Sequence, residues 1–293
     1  MRIFVTGASG WIGSAVVPEL ISAGHEVIGL ARSHSSADQI AAAGAQVLPG
    51  DLNDADSLRA GAANSDGVIH LAYEHQLGQA GGAETDGLAI ATFIDALAGT
   101  DKPLLITGAT PRVPGRVATE RDELVAEGPI AARIRNLQAG LASHDHGIRV
   151  SLVMIPRSVH GDGDRQGFIP QLVDRARTTG ISGYVGDGES RWPAVHVKDA
   201  ASLYRLAIEK APAGSVLHAV GDEGVPVRSI AEAIGRGLGI PAQSLTAEEF
   251  GMPLAPVLAA DMPASSTLTQ ELLGWAPLHP GLIADIDEGH YFG

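Results

Sequence analysis

The chain has 293 residues, including 20 basic and 34 acidic ones; this length suits one large α/β domain with an appended lobe, and the formal charge of −14 disfavours nucleic acid as a partner. The absence of cysteine excludes disulfides, thiolate metal sites and a cysteine nucleophile, and it fits a reducing compartment. Since the sequence contains neither a signal-like apolar core at its N-terminus nor an apolar run of membrane-spanning length, we expect a cytoplasmic protein that does not bind a membrane.

The first thirty-odd residues predict a strand, a glycine turn, a helix and a second strand. Arg2 to Thr6 and Glu26 to Ala31 are apolar, strand-forming runs, and residues 12–21 between them carry apolar side chains at helical spacing. The turn has glycines where a dinucleotide pyrophosphate needs a tight turn, a close backbone approach and close helix packing, namely Gly7, Gly10 and Gly13. The N-terminus of the helix offers the anion free N–H groups and the positive end of its dipole. This unit predicts nucleotide binding.

The segment Val-Thr-Gly-Ala-Ser-Gly-Trp-Ile-Gly, from Val5 to Gly13, resembles the opening of the extended and atypical short-chain dehydrogenase/reductases, the NAD(P)-dependent epimerase/dehydratase family. The resemblance spans nearly the whole chain and is strongest at residues 3–33 and 150–200. It implies an α/β fold, with a Rossmann-type doubly wound parallel sheet and a small C-terminal substrate lobe. We predict an NADP-binding domain at residues 1–158, to which helix 200–209 and strand 214–220 return. Residues 159–198 and 221–293 are the predicted lobe.

The end of the second strand indicates which cofactor is bound. NAD-binding versions of the fold usually place an acidic residue here, whereas this chain has Arg32 and Ser33, which suit a 2′-phosphate. We therefore expect NADP, with a solvated surface arginine as the alternative. The resemblance places Asp51 and Leu52 beside the adenine, although Asp51 could instead cap the next helix. Beyond the glycines, the remaining predicted cofactor-binding residues are Ser9, Trp11, Ile12, Leu71, Ala72, Tyr73, Thr107, Arg133, Pro156 and Ser158.

The catalytic residues of the family are only partly present. The resemblance implies a Tyr-x-x-x-Lys pair on the helix over residues 129–144, where this chain has Pro129 and Arg133 and where no tyrosine occurs. The usual Ser/Thr hydroxyl after the fifth strand falls on Ala109, which Thr107 and Thr110 flank. Extended members carry asparagine at the position of Asp86, and one atypical branch commonly has aspartate there. The chain thus resembles a branch whose catalytic tetrad is degraded.

Candidate replacements for the missing acid lie elsewhere. Tyr73, after the fourth predicted strand, is the predicted proton donor, and His75 and Asp86 could orient or recharge it; the alternatives are an aromatic contact for Tyr73 and a conformational anchor for Asp86. His70 is interpreted as a packed strand residue. We predict no metal site. The predicted substrate-binding residues are His160, Tyr184 and Trp192; for His160 and Tyr184 the alternative is a packing or loop-stabilising role.

The sequence therefore favours an NADP-dependent oxidoreductase that reduces a small carbonyl-like compound with a non-standard proton donor. An NADP-binding redox sensor without catalytic activity is the second hypothesis, and a sugar-nucleotide epimerase or dehydratase is the third. The resemblance also implies a homodimer through the helices near residues 83–99 and 129–144.

Overall fold

Strands and helices alternate along the first half of the chain, and shorter elements follow. The strands are β1 (Arg2–Thr6), β2 (Glu26–Ala31), β3 (Gln46–Pro49), β4 (Gly67–His70), β5 (Pro103–Ala109), β6 (Arg149–Ile155), β7 (Ser158–His160), β8 (Ser182–Val185), β9 (Arg191–His196), β10 (Ser215–His218), β11 (Asp222–Pro226) and β12 (Ala242–Leu245). The helices are α1 (Gly13–Ser22), α2 (His34–Ala42), α3 (Ala55–Ala63), α4 (Gly78–Leu97), α5 (Ala131–Ala142), α6 (Phe168–Thr179), α7 (Val197–Lys210), α8 (Val227–Leu238), α9 (Ala247–Phe250), α10 (Leu254–Leu258), α11 (Thr267–Leu273) and α12 (Leu282–Asp287). Of the helices described, none combines the length and the hydropathy needed to cross a bilayer.

A seven-stranded parallel sheet is the centre of the molecule in the computed structural model, which describes residues 1–252 and 254–293. Its order is β10-β6-β5-β4-β1-β2-β3, so β1 lies between β4 and β2 and the direction of winding reverses there. Open α/β sheets bind their ligands at such a reversal, outside the carboxyl ends of the strands. The glycine turn follows β1 and therefore lies at this crevice.

Helices cover both faces of the sheet, which explains why its strands are apolar on both sides. Ile3 and Val5 of β1 face the core formed with α1, α2 and α7, whereas Phe4 faces the core formed with α3, α4 and α5. All three side chains are completely buried. The predicted doubly wound Rossmann-type fold is thus confirmed.

Smaller sheets and the later helices build a lobe with its own core. β9 pairs with β7 and β11, and β8 pairs with β12. The lobe core contains Ile169, Trp192, Ile230, Phe250 and Leu282. However, Trp275, which the predicted boundaries assign to the lobe, packs in the core between the large sheet and α7. The division at residue 158 stays a prediction.

The end of β4 and the start of α7 fix the position of two later segments. β4 ends at His70, level with Thr6 at the end of β1, so Tyr73 lies three residues beyond the sheet, on the loop after the strand. At the start of α7, Nδ1 of His196 accepts a hydrogen bond from the Lys198 amide and caps the helix. The Asp199 carboxylate accepts the amides of Leu278 and His279, each at 3.0 Å. It therefore fastens the C-terminal segment to α7.

Candidate active site

The glycine turn after β1 has the shape that a dinucleotide cradle requires. Gly7 has φ +70°, and a Cβ at this residue would lie 2.8 Å from the amide nitrogen of Ala72. A Cβ at Gly13 would overlap the carbonyl oxygen of Gly7, whereas Gly10 is exposed. Among the described residues no side chain caps α1, so no side chain competes with an anion at the positive end of its dipole. These residues fit a nicotinamide dinucleotide.

Trp11 fastens the glycine turn to the lobe. Its indole Nε1–H donates to the carbonyl of Val159 in β7 at 2.8 Å, and a Cβ at Gly163 would lie 3.6 Å from the indole ring. Ser9 and Ile12 flank Trp11 and are partly buried. Pro156 and Ser158, two predicted cofactor residues, lie between the end of β6 and Val159, and both are buried. The indole of Trp11 thus holds the glycine turn against β7.

The segments after β2 and β4 meet in an ion pair. Nη1 of Arg32 lies 3.2 Å from Oε1 of Glu74, and the two side chains are 59% and 14% exposed. The hydroxyl of Ser33 accepts the amide of Ser36 and caps α2. Arg32 and Glu74 therefore lie side by side at this edge of the sheet. The sequence predicted a site role for Arg32 alone.

The predicted adenine residues follow β3. Both the amide and the side-chain amide of Asn53 donate to Oδ1 of Asp51 at 2.8 Å, so this carboxylate shapes its own turn. Leu52 is buried in the core under α3. Asp54, rather than Asp51, caps α3 by accepting the amides of Asp56 and Ser57.

Tyr73, Arg133 and His75 form a cluster outside the carboxyl ends of the strands. The guanidinium carbon of Arg133 lies 4.0 Å from the centroid of the Tyr73 ring, and the rings of Tyr73 and His75 are 4.9 Å apart. The hydroxyl of Tyr73 donates only a long, 3.5 Å bond to the Gln79 carbonyl. Gly82 makes room for this ring, since a Cβ there would lie 2.9 Å from it.

Burial and nearby charges shift the pKa values of Tyr73 and His75 in this cluster. Burial raises the pKa of Tyr73, while the positive charge of Arg133 lowers it and Asp86 raises it. Burial and Arg133 together lower the pKa of His75. At neutral pH Tyr73 is therefore a protonated phenol beside a neutral imidazole, a combination suited to donating and replacing one proton.

Asp86 belongs to a buried polar chain behind this cluster. Its Oδ1 lies 3.4 Å from Nε2 of His70, and its Oδ2 accepts Nδ2 of Asn136 at 3.1 Å. Nδ1 of His70 lies 2.7 Å from the Thr6 hydroxyl, which also accepts the amide of Ala72 at 3.3 Å. The chain thus connects α4 and α5 to residues 71–73, which carry Tyr73. Asn136 lies one helical turn after Arg133, a spacing that could have indicated its role.

The carboxyl end of β5 provides little hydrogen-bonding capacity. The Thr107 hydroxyl is 2.8 Å from that of Tyr204 on α7, on the opposite face of the sheet from α5. Ala109 and Pro129 are exposed and carry no side-chain donor. Among the described residues, the buried Thr110 hydroxyl has no hydrogen-bond partner. Arg133 reaches this end of β5 through a 3.4 Å bond to the Thr107 carbonyl.

The predicted substrate residues are not brought together. Trp192 is completely buried and packs on Phe168, while Tyr184 on β8 lies 5.3 Å from the Arg228 guanidinium. His160 is also completely buried, and its Nδ1 lies 2.9 Å from Oδ2 of Asp285.

Asp285 is the centre of a cluster that sequence inspection missed, because its members are far apart in the chain. Tyr291 Oη lies 3.4 Å from Oδ2 of Asp285, and His290 Nε2 lies 3.6 Å from it. Possible metal-ligand atoms of Asp285, Glu288 and His290 lie within 4.8 Å of one another. The Asp285 carboxylate, however, already pairs with the buried His160, so we assign the cluster to fastening the C-terminus.

Comparison with known proteins connects this site to a family. The model of the NAD dependent epimerase/dehydratase family matches residues 3–219. An uncharacterized protein of Schizosaccharomyces pombe is 43% identical over 100% of both chains. The 2-alkyl-3-oxoalkanoate reductase of Stenotrophomonas maltophilia is 29% identical, covering 82% of this chain and 77% of its own. The NAD-bound dTDP-glucose 4,6-dehydratase of Streptomyces venezuelae shares the fold, with a TM-score of 0.81 at 19% identity over 99% and 96% of the two chains.

Proposed function

Because the chain belongs to the NAD dependent epimerase/dehydratase family, we propose that it is an NADP-dependent reductase of a small carbonyl-like compound. A reduced nicotinamide supplies hydride when bound; the protein must orient the substrate and provide one proton. The glycine turn, with Ser9, Trp11 and Ile12, supports this assignment as the proposed pyrophosphate cradle. The 29% identity to a reductase of 2-alkyl-3-oxoalkanoates favours reduction of a ketone.

The observation that carries the proposal is the position of the Tyr73 phenol under the Arg133 guanidinium. A developing alkoxide on the substrate needs a proton donor, and a donor within hydrogen-bond reach is worth roughly 10²- to 10⁴-fold in rate. Tyr73 is protonated at neutral pH and its hydroxyl makes only one long bond, so a substrate oxygen can replace the Gln79 carbonyl. We assign proton donation to Tyr73, which leaves a phenolate, and we assign to the neutral His75 the relay of a solvent proton back to that phenolate. Asp86 is a positioning residue.

The choice of NADP rests on Arg32, whose exposed guanidinium suits a 2′-phosphate. The proposed nicotinamide half of the site borders the same carboxyl edge and consists of Leu71, Ala72, Thr107, Arg133, Pro156 and Ser158. The proposed adenine half consists of Asp51 and Leu52. His160 and Trp192 have no exposed surface, so we propose that they shape the lobe rather than contact substrate. Tyr184 remains a proposed substrate contact.

Consumption of NADPH tests this function. The purified chain is assayed against aldehydes, diketones, imines and activated alkenes, beside Tyr73→Phe and, as a separate test of the proposed substrate contact, Tyr184→Phe. We expect turnover with one carbonyl class, and a loss of kcat of roughly 10²- to 10⁴-fold in Tyr73→Phe at unchanged NADPH affinity. Full activity of Tyr73→Phe would remove Tyr73 from the mechanism.

Ala109 and Pro129 favour one alternative, an NADP-binding sensor without activity, because both stand where the family has hydroxyl groups. Tight NADPH binding with no turnover on any substrate class would select it. A sugar-nucleotide epimerase is less favoured, since its oxidation step would need a base in place of the missing tyrosine.

The proposed homodimer uses α4 and α5. Leu88 on α4 and Ile130 before α5 are 57% and 46% exposed, so both could contribute apolar surface to such an interface. Light scattering of the chain and of Leu88→Glu tests this assembly. A cytoplasmic location also stays a prediction, based on the lack of cysteine.

A further inference from the structure

We propose that Glu74 is a specificity-determining residue, whose carboxylate opposes the Arg32 guanidinium in the choice between NADP(H) and NAD(H). This inference rests on the proposed function, because it concerns the same cofactor site. Arg32 is the residue that the sequence connects with a 2′-phosphate, and the structure pairs it with an acid from another segment.

The topology places this pair across the mouth of the cofactor groove. Arg32 follows β2 and Glu74 follows β4, while β1 and its glycine turn lie between the two strands. Neighbouring strands are about 4.8 Å apart, so the ends of β2 and β4 are separated by roughly 10 Å. The two long side chains close that gap at 3.2 Å. They therefore meet in front of the turn that follows β1.

The pair can open when a phosphate arrives. Arg32 is 59% exposed, and ion pairs between exposed groups are weak because water and salt screen them. A 2′-phosphate offers the guanidinium two charge-assisted hydrogen bonds and a higher charge than a carboxylate. The displaced carboxylate would nevertheless stay close to the phosphate, since Glu74 is only 14% exposed, and like charges would then repel.

The same carboxylate has the opposite effect on a cofactor without that phosphate. NAD-binding relatives of the fold hold the ribose 2′-hydroxyl with an acid placed after the second strand. Here the residues at that place are Ala31 and Arg32, and Glu74 brings an acid beside them from β4. Arg32 thus favours NADP(H) and Glu74 favours NAD(H), so the wild-type preference is a balance between two residues.

Binding of adenosine fragments tests the balance without catalysis. Calorimetry measures the Kd of 2′,5′-ADP and of 5′-AMP, which differ in the 2′-phosphate, and then the Kd of NADPH and of NADH. The variants are Glu74→Gln, Arg32→Gln and the double variant. Glu84→Gln is the matched control, since it removes the same charge from an exposed position of α4 that forms no ion pair in the described structure.

We expect Glu74→Gln to raise the preference for 2′,5′-ADP over 5′-AMP by roughly five- to tenfold. The preference for NADPH over NADH should rise by a similar factor. Arg32→Gln should lower both preferences, and the effect of Glu74→Gln should shrink in its presence because the residues are coupled. A change below about twofold, or an equal change in Glu84→Gln, would overturn the role of Glu74.

Failure of the proposed function would be recognised separately. A wild-type chain that prefers NADH would contradict the NADP assignment, yet the shift caused by Glu74→Gln would still decide the role of that residue. A chain that binds no fragment and no dinucleotide in any variant would overturn both.

Discussion

The carboxylate of Asp86 lies 3.4 Å from the imidazole of His70, and both side chains are almost completely buried. The Thr6 hydroxyl is on the other side of the imidazole and accepts the amide of Ala72. Nε2 of His70 makes no hydrogen bond among the described residues, so its 3.4 Å approach to the Asp86 carboxylate is a close polar contact rather than a hydrogen bond. Asp86 thus lies between Asn136 and His70 and helps to hold the buried groups behind Tyr73 in position.

Asp86→Asn should destabilise the protein by about 1–3 kcal/mol, because the new amide keeps one acceptor oxygen and must direct its N–H either at the N–H of Asn136 or at the imidazole of His70. We expect kcat to fall less than tenfold, since Asp86 is a positioning residue, and KM for NADPH to rise as residues 71–73 loosen. Urea unfolding and steady-state kinetics measure the two effects.

Asp95→Asn is the matched control, because Asp95 is exposed on the same helix. It should change neither stability nor kinetics. A loss of kcat in Asp86→Asn as large as in Tyr73→Phe, at wild-type stability, would restore Asp86 as a catalytic residue.

Two glycines of the turn should respond differently to alanine. A Cβ at Gly13 would overlap backbone atoms of Gly7 and Ala8, so Gly13→Ala should unfold more easily, by about 1–3 kcal/mol, and bind NADPH poorly. A Cβ at Gly10 would meet only the Gly7 carbonyl oxygen, at 3.2 Å. Gly10→Ala should therefore keep nearly full stability and lose affinity alone. Equal unfolding midpoints for the two variants would contradict this assignment.

The fold was predictable because its evidence is local. The glycine turn, the apolar run of β1 and the spacing of α1 lie within 22 residues, and the structure shows them as expected. The acid–base cluster needed the fold. Tyr73 and Arg133 are 60 residues apart in the chain and meet because β4 and β5 are neighbours.

Other contacts left no sequence signal. Two ion pairs join distant segments of the chain, Glu74 with Arg32 and Asp285 with His160. No repeating pattern in the sequence predicts that these segments meet. Nothing in the sequence indicated that the hydroxyl of Thr107, a predicted cofactor residue, would pair with that of Tyr204.

Arg133 should control the ionisation of Tyr73. Its positive charge lowers the pKa of the phenol, while burial raises that pKa above 10.0, so Arg133→Met should raise it further. Spectroscopic titration, with Tyr73→Phe subtracted, measures this pKa directly. In the proposed reductase the alkaline loss of kcat should move to higher pH by the same amount. Arg135→Met, an exposed position on the same helix, should leave the titration unchanged; a lower Tyr73 pKa in Arg133→Met would contradict the contact.

His196 should make the protein less stable in mild acid. Burial lowers its pKa from 6.5 to about 4, with the charge of His160 as the next cause. Between these values the unfolded chain binds the proton and the folded chain does not, so stability is complete above 6.5 and falls as pH decreases towards 4.

His196→Asn should remove part of this dependence and keep the cap of α7, since asparagine is a good capping residue. The ring of His279 stacks on that of His196 and is 40% exposed, so this pair of rings lies close to solvent. We therefore expect a difference of only about 1–2 kcal/mol between wild type and variant on going from about pH 7 to about pH 4.5. Urea unfolding at both pH values measures it, and parallel losses in the two proteins would show that His196 is already protonated in the folded state.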